Sequence, residues 1–188
     1  MTVASMESAG RRRDIVITTE PRKGGGWRIT ANELAPPDSK FKTAAKTIYT
    51  SAHRINMLRT VCDGSIVVAV ADNAVMIGSL KAMDYGTVDK VKYEFRIFET
   101  TEAISSMDVK VVERISGREF PKPISKLPCL HVAIGGVNGS IYYYMDILAK
   151  LVMAQRGGLP SGVSLVPKKL HWHRQAVYTV KFSLDGKF

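Results

Sequence analysis

The chain has 188 residues, 45% hydrophobic and 23% charged, with a formal net charge of +10. That is enough chain and apolar content for one domain with a sizeable core, which argues against disorder throughout. No apolar run approaches the roughly 18–20 residues that span a bilayer, and the opening MTVASMESAG has no apolar segment long enough for a secretory signal, so a soluble intracellular protein is expected. Cys62 and Cys129 lie far apart without CxxC spacing, which points to buried free thiols rather than zinc ligands or a disulfide framework. The charge sits at the ends. Residues 1–60 carry 11 Lys/Arg against 5 Asp/Glu, residues 61–144 carry 9 against 10, and residues 145–188 carry 7 against 2. Basic ends of this kind attract phosphate backbones without reading sequence, although basic surfaces also occur on proteins with no nucleic-acid partner.

In chain order, Arg11, Arg12 and Arg13 precede the first apolar segment, Ile15 to Thr19. They suit a nuclear-entry or phosphate-contacting patch; a solvated terminal charge run is the simpler reading. Gly24, Gly25 and Gly26 then separate this strand from a second at Trp27 to Ile29. No Gly-Lys-Ser/Thr follows and no helical pattern opens, so the glycines read as a hairpin loop and not a phosphate loop. Residues 1–34 are therefore expected to form a basic N-terminal segment with a strand pair. The breaker cluster Ala35-Pro36-Pro37-Asp38-Ser39 closes it.

Beyond it, strand-like runs occupy Thr47–Tyr49, Ile55–Val61, Ile66–Ala71 and Val75–Leu80, with turn signals at Asp63-Gly64 and Asp72-Asn73. Tyr93–Thr100 alternates apolar and polar residues and is expected to open a further group of strands, with Ile104–Val112 as its second strand. Ser116 to Pro128, with Pro121 and Pro123, reads as an inserted loop. Leu130–Ile134 is a buried strand, Gly135–Gly139 its turn, and Ser140–Tyr144 the return. Met145 to Pro167 reads as an exposed loop with one helical turn at most.

The last stretch, Leu170 to Phe188, reads LHWHRQAVYTVKFSLDGKF. Val180 and Phe182 alternate with Thr179 and Lys181, as on a half-buried strand, and Asp185-Gly186 supplies a tight turn. The pattern formed by His173, Val177, Val180, Phe182, Ser183, Asp185 and Gly186 resembles a strand of the WD repeat, the unit of a β-propeller blade. CLHVAIGGVNGSIYYY at Cys129–Tyr144 is similar to the preceding hairpin of such a unit, with Asn138-Gly139 at the turn and Tyr144 as the closing aromatic. The fold class expected is thus all-β, an incomplete β-propeller of about three to four blades across residues 35–188. The chain is expected to stop inside its last repeat and, with strand edges left unpaired, to be poorly soluble or oligomeric.

Leu170-His171-Trp172-His173 ahead of that strand, taken with the Cys129–Tyr144 hairpin, resembles the Nan1-type propeller subunits of the UtpA (t-UTP) subcomplex of the small-subunit processome. The resemblance covers about 60 residues, from Cys129 to Phe188. It implies a nucleolar, nuclear scaffold that joins other UtpA subunits on the 5′ external spacer of pre-ribosomal RNA, acts in 18S maturation and is linked to RNA polymerase I transcription. It also implies a structural role for His173 and Asp185 in holding a blade.

No nucleophile elbow, Walker sequence, HExxH or paired CxxC occurs. The pairs Asp84 with Asp89 and Glu99 with Glu102 fall in connecting segments and read as solvated charges. His171 and His173 have ligand-like spacing, but no third donor is evident, so no metal or other cofactor is expected. The expectation is a non-catalytic scaffold with no small-molecule substrate and no membrane contact. Candidate RNA-phosphate contacts are Arg11, Arg12, Arg13, Lys168, Lys169 and Arg174. The alternative is a generic WD-repeat adaptor that binds proteins only; a metal-dependent hydrolase built on the histidines is the third reading.

Overall fold

The computed structural model describes residues 2–8, 11–34, 45–83, 91–114, 124–159, 164–171 and 173–183. Runs rich in β-branched and aromatic residues, broken by polar turns, form the strands. In chain order these are β1 (Thr2–Ser8), β2 (Arg11–Pro21), β3 (Trp27–Glu33), β4 (Ala45–Ser51), β5 (Met57–Val61), β6 (Ile66–Ala71), β7 (Ala74–Met83), β8 (Val91–Glu99), β9 (Ile104–Val112), β10 (Cys129–Gly136), β11 (Ser140–Tyr144) and β12 (Lys168–His171). One helix, α1 (Ile147–Arg156), and a 3-10 turn at Ile124–Lys126 complete the described elements. The protein is mostly β, with three sheets of four strands each: β1-β2-β3-β4, β5-β6-β7-β8 and β9-β10-β11-β12. Each is an antiparallel meander in which neighbours in sequence are neighbours in space. The chain divides into two compact units, residues 1–100 and 101–188.

In the first unit the first two sheets share one core. Ile15 and Ile17 of β2 and Ile29 and Ala31 of β3 pack with Leu58, Val67, Ala69, Ala71 and Met76 from β5, β6 and β7. These positions recur every second residue along their strands, so one face of each sheet is apolar. Ile17 and Ile29 are fully buried, each contributing about 1.5–3 kcal/mol of transfer free energy. Trp27, Tyr49, Tyr93 and Phe95 flank this core. The rings of Tyr49 and Phe95 lie 4.5 Å apart, and Tyr93 donates its hydroxyl proton to the carbonyl of Gly64 at 2.5 Å. β6, IVVAVA, is buried at every residue, so both its faces are covered.

The strand groups differ from those expected. Thr47–Tyr49 lies in β4, which closes the first sheet against β3 instead of opening a new group. Tyr93–Thr100 likewise falls mainly in β8, which ends the second sheet against β7. The division expected at residue 34 falls inside the first sheet. Turn chemistry located hairpins but could not say which strand was first in each sheet, because β-meanders repeat without punctuation at sheet boundaries. The breaker cluster Ala35–Ser39 lies outside the described residues, as do Asp84, Asp89, Ser116, Pro121 and Pro123.

In the second unit, register places Ser106, Asp108 and Lys110 of β9 beside Gly135, Ala133 and His131 of β10. Ile141 and Tyr143 of β11 complete that face. Leu130, Val132 and Ile134 point to the opposite face and are fully buried. The hairpin turn at Asn138-Gly139 is present, with Gly139 at φ 83°. Two expectations are corrected. Ile147–Arg156 is a ten-residue helix in the middle of the expected exposed loop, and Ile147, Leu148, Ala149, Leu151, Val152 and Met153 are buried; α1 packs against β10. The expected terminal strand, Val177–Phe182, has no strand ladder; the strand lies earlier, at β12.

Candidate functional site

Residues 173–183 cross the face of the third sheet as a strap. Val177 is buried against Gly135, and a Cβ at Gly135 would collide with the Ser106 Oγ and the Val177 side chain, so the close approach needs glycine. The Val177 amide donates to the Gly136 carbonyl at 3.1 Å. Its own carbonyl accepts from Ser105 Oγ at 2.9 Å and Ser106 Oγ at 2.6 Å. The Phe182 amide donates to Asp108 Oδ2 at 2.9 Å, and Lys110 Nζ donates to the Ser183 carbonyl at 2.5 Å. Lys181 adds an ion pair to Asp108 at 3.5 Å. Side chains of β9 thus satisfy main-chain groups that a ladder would otherwise take, which is the physical reason no strand forms. The expected alternation survives in burial: Val177 is buried and Val180 and Phe182 are half-buried, while Tyr178, Thr179 and Lys181 are exposed. Phe182 meets the Tyr143 ring edge-on at 6.0 Å.

Beneath the other end of the sheet lies a polar cluster. Arg114 holds Asp146 through two hydrogen bonds of 3.0 Å, and its third nitrogen reaches the Ile124 carbonyl at 3.5 Å. Asp146 stands at the start of α1 with φ 46°, so this fork ties the end of β9 to the helix entry. Cys129 Sγ lies 3.5 Å from His131 Nε2, and His131 Nδ1 contacts the Tyr143 hydroxyl. A cysteine beside a histidine invites a nucleophilic reading. Burial, with Asp146 nearby, raises the Cys129 thiol to about 11, and burial lowers His131. At neutral pH the pair is a protonated thiol beside a neutral imidazole, not the thiolate that covalent chemistry requires.

Glu102 sits at the turn between β10 and β11. It accepts from the Tyr142 hydroxyl at 2.6 Å and the Asn138 amide at 2.7 Å. Burial pushes its pKa up, but those two bonds, another from Ser140 and the nearby Lys169 hold the carboxyl below the ordinary range. Glu102 is thus a buttress of the hairpin rather than the solvated charge expected.

The sequence candidates scatter. Arg11, Arg12 and Arg13 lie in β2, opposite Ser8, Glu7 and Met6 in register. Lys168 and Lys169 are exposed on β12 but alternate in direction: Lys169 rests over the Tyr142 ring at 5.4 Å, whereas Lys168 pairs with Tyr143. Arg174 is exposed on the strap. The first three belong to one unit and the last three to the other. His173 is exposed, and its carbonyl packs on Gly139; Trp172, Asp185 and Gly186 lie outside the described residues. Among the described residues no group of three or more His, Cys, Asp or Glu side chains is placed to hold a metal, and no helix is long and apolar enough to cross a membrane.

Sequence reasoning missed Ser105, Ser106, Asp108 and Lys110 as the elements that hold the strap. Their signal was present: polar residues at 106, 108 and 110 mark one face of β9. No protein-family model matches the chain, and no curated protein matches it.

Proposed function

We propose that the chain is a non-catalytic, propeller-type scaffold of ribosome assembly. It acts in the small-subunit processome of the nucleolus, alongside other UtpA subunits on the 5′ external spacer of pre-ribosomal RNA. The observation that carries the reading is the succession of three four-stranded antiparallel meanders in chain order, the strand plan of consecutive propeller blades. The resemblance of the sequence from Cys129 to Phe188 to the family supports it. So does the exposure of Lys168, Lys169 and Arg174 on the second unit, while Glu102, Asp108 and Asp146 are occupied by local contacts. Exposed cations of this kind supply phosphate contacts that position a strand of RNA without reading bases.

The test is purification of the tagged chain from crosslinked cells, with identification of bound RNA and proteins. Recovery of 5′ spacer RNA with UtpA subunits is expected. Recovery of unrelated proteins without RNA would replace this reading with that of a protein-only adaptor, for which the exposed Val166, Leu170 and Tyr178 provide apolar contact surface.

A further inference from the structure

One end of the first sheet holds a basic surface separate from the exposed cations of the second unit. The β2–β3 turn, Arg22 to Gly26, packs beside the end of β4. Trp27 is paired with Ser51, and a Cβ on Gly26 would meet the Ser51 carbonyl and the Ala52 Cα. The turn is closed by the Arg22 amide on the Gly26 carbonyl at 3.0 Å and the Gly25 amide on the Arg22 carbonyl at 3.2 Å. Gly24, Gly25 and Gly26 take φ of 97°, 100° and 78°, and nothing lies within 4 Å of a Cβ at Gly24 or Gly25. The turn is therefore a low, open rim without side chains to block approach.

Across it, Arg54 lays its guanidinium over the Trp27 ring at 5.5 Å. Trp27 is half-buried and packs against the core, while Arg22, Lys23, His53 and Arg54 are exposed. The acidic residue closest in register, Glu20, is already engaged: it accepts from Arg28 at 2.8 Å and Thr30 at 2.7 Å. Those hydrogen bonds, from Thr30 first and then Arg28, hold its carboxyl below the usual range. Among the described residues Arg22, Lys23 and Arg54 form no ion pair.

We infer that this surface is a binding site for single-stranded nucleic acid: Arg22 and Lys23 contact phosphates, and the Arg54 guanidinium, held over the Trp27 ring, is a platform for a base. A guanidinium held over an indole is a planar cation, able to stack on a base and to hydrogen-bond an anion. Stacking of this kind tolerates any base, so it suits an unpaired strand better than a duplex, whose bases are already stacked. Acidic peptides or anionic membranes would use the charge but not the plane. The inference deepens the RNA contact of the proposed function, on which its biological meaning rests, but its geometry lies wholly in the first unit.

The experiment is titration of the purified chain with a fluorescein-labelled 20-nucleotide oligouridine and with a duplex of the same length, across a salt series. Arg54→Lys, which keeps the charge and loses the plane, is expected to weaken oligouridine binding about tenfold with an unchanged salt slope. Arg22→Gln with Lys23→Gln is expected to lower that slope by about 1.4, two phosphates' worth. All three substitutions are at exposed positions, and matched circular dichroism spectra confirm folding. Wild-type affinity in both variants, with loss only in a Lys168→Gln, Lys169→Gln, Arg174→Gln variant, overturns the site while leaving the RNA reading intact. Equal binding of duplex and single strand, with no effect of Arg54→Lys, reduces the surface to unspecific charge. Absence of oligouridine binding by the wild-type chain overturns both.

Discussion

Residues 1–100 and 101–188 bury similar strands by different means. In the first unit sheet packs on sheet, and apolar residues at every second position fill the interface from both sides. In the second unit pieces that belong to no sheet pack on the third one: α1 packs against β10, and the strap lies over Gly135 and the polar residues of β9. The first arrangement depends on side-chain volume. In the second, α1 also buries apolar residues, but the strap depends on a few polar side chains that grip a backbone, so its hold is concentrated in directional contacts that single substitutions can remove.

That difference can be broken in graded steps. The largest effect is expected from Ile29→Ala, which opens a cavity between the two sheets and should lower unfolding free energy by about 3–4 kcal/mol in urea melts. Arg114→Met should cost roughly 3 kcal/mol, because Asp146, a buried carboxylate 8% exposed, loses its arginine partner; Asp146→Asn in that background should recover part of it. Gly135→Val drives a side chain into Ser106 and Val177 and is expected to cost about 2 kcal/mol. Hydrogen exchange at the Val177 and Phe182 amides should rise by far more than exchange in β6. A loss spread evenly over both units would contradict a locally held strap.

The smallest effect is a pH dependence. The folded-state pKa of Glu102 lies below its unfolded value, which is about 4.3. Its contribution is therefore complete above that value and fades as pH falls through the folded pKa. Glu102→Gln should cost about 1 kcal/mol at neutral pH and flatten the acid limb of a urea-midpoint-against-pH curve; an unchanged limb would remove Glu102 as the buttress of the hairpin.

Much of the strand content was legible. Alternation and turn residues located β6, β10 and β11 within two residues and β7 within three, because those strands are strongly apolar and flank the turns at Asp72-Asn73 and Asn138-Gly139. Sheet boundaries were not legible, since β4 and β8 carry the same alternation as the strands that begin a sheet. α1 escaped because its entry residue, Asp146, makes no side-chain cap and is given to Arg114 instead, and a partner 32 positions away leaves no local trace. The terminal segment misled for a related reason. Val177, Val180 and Phe182 have strand periodicity, but whether a strand forms depends on where its main-chain groups find partners, and β9 side chains had already supplied them. The Trp27–Arg54 stack was equally hidden, since its two residues stand 27 positions apart and only the pairing of β3 with β4 brings them together.

β6 carries one further consequence. IVVAVA is an uncharged, proline-free run of β-forming residues, the composition of segments that self-assemble into cross-β fibrils when they emerge unpaired. In the folded chain both its edges are taken, by β5 and β7. The turn to β7 is only two residues long, with Asp72 already in the left-handed region at φ 56°. A hairpin of that span closes in about 1–10 μs, whereas a ribosome adds residues on the scale of tens of milliseconds or slower. A segment with the composition of a fibril former is thus one whose partner follows after only two residues, and the short turn acts as a built-in chaperone during synthesis.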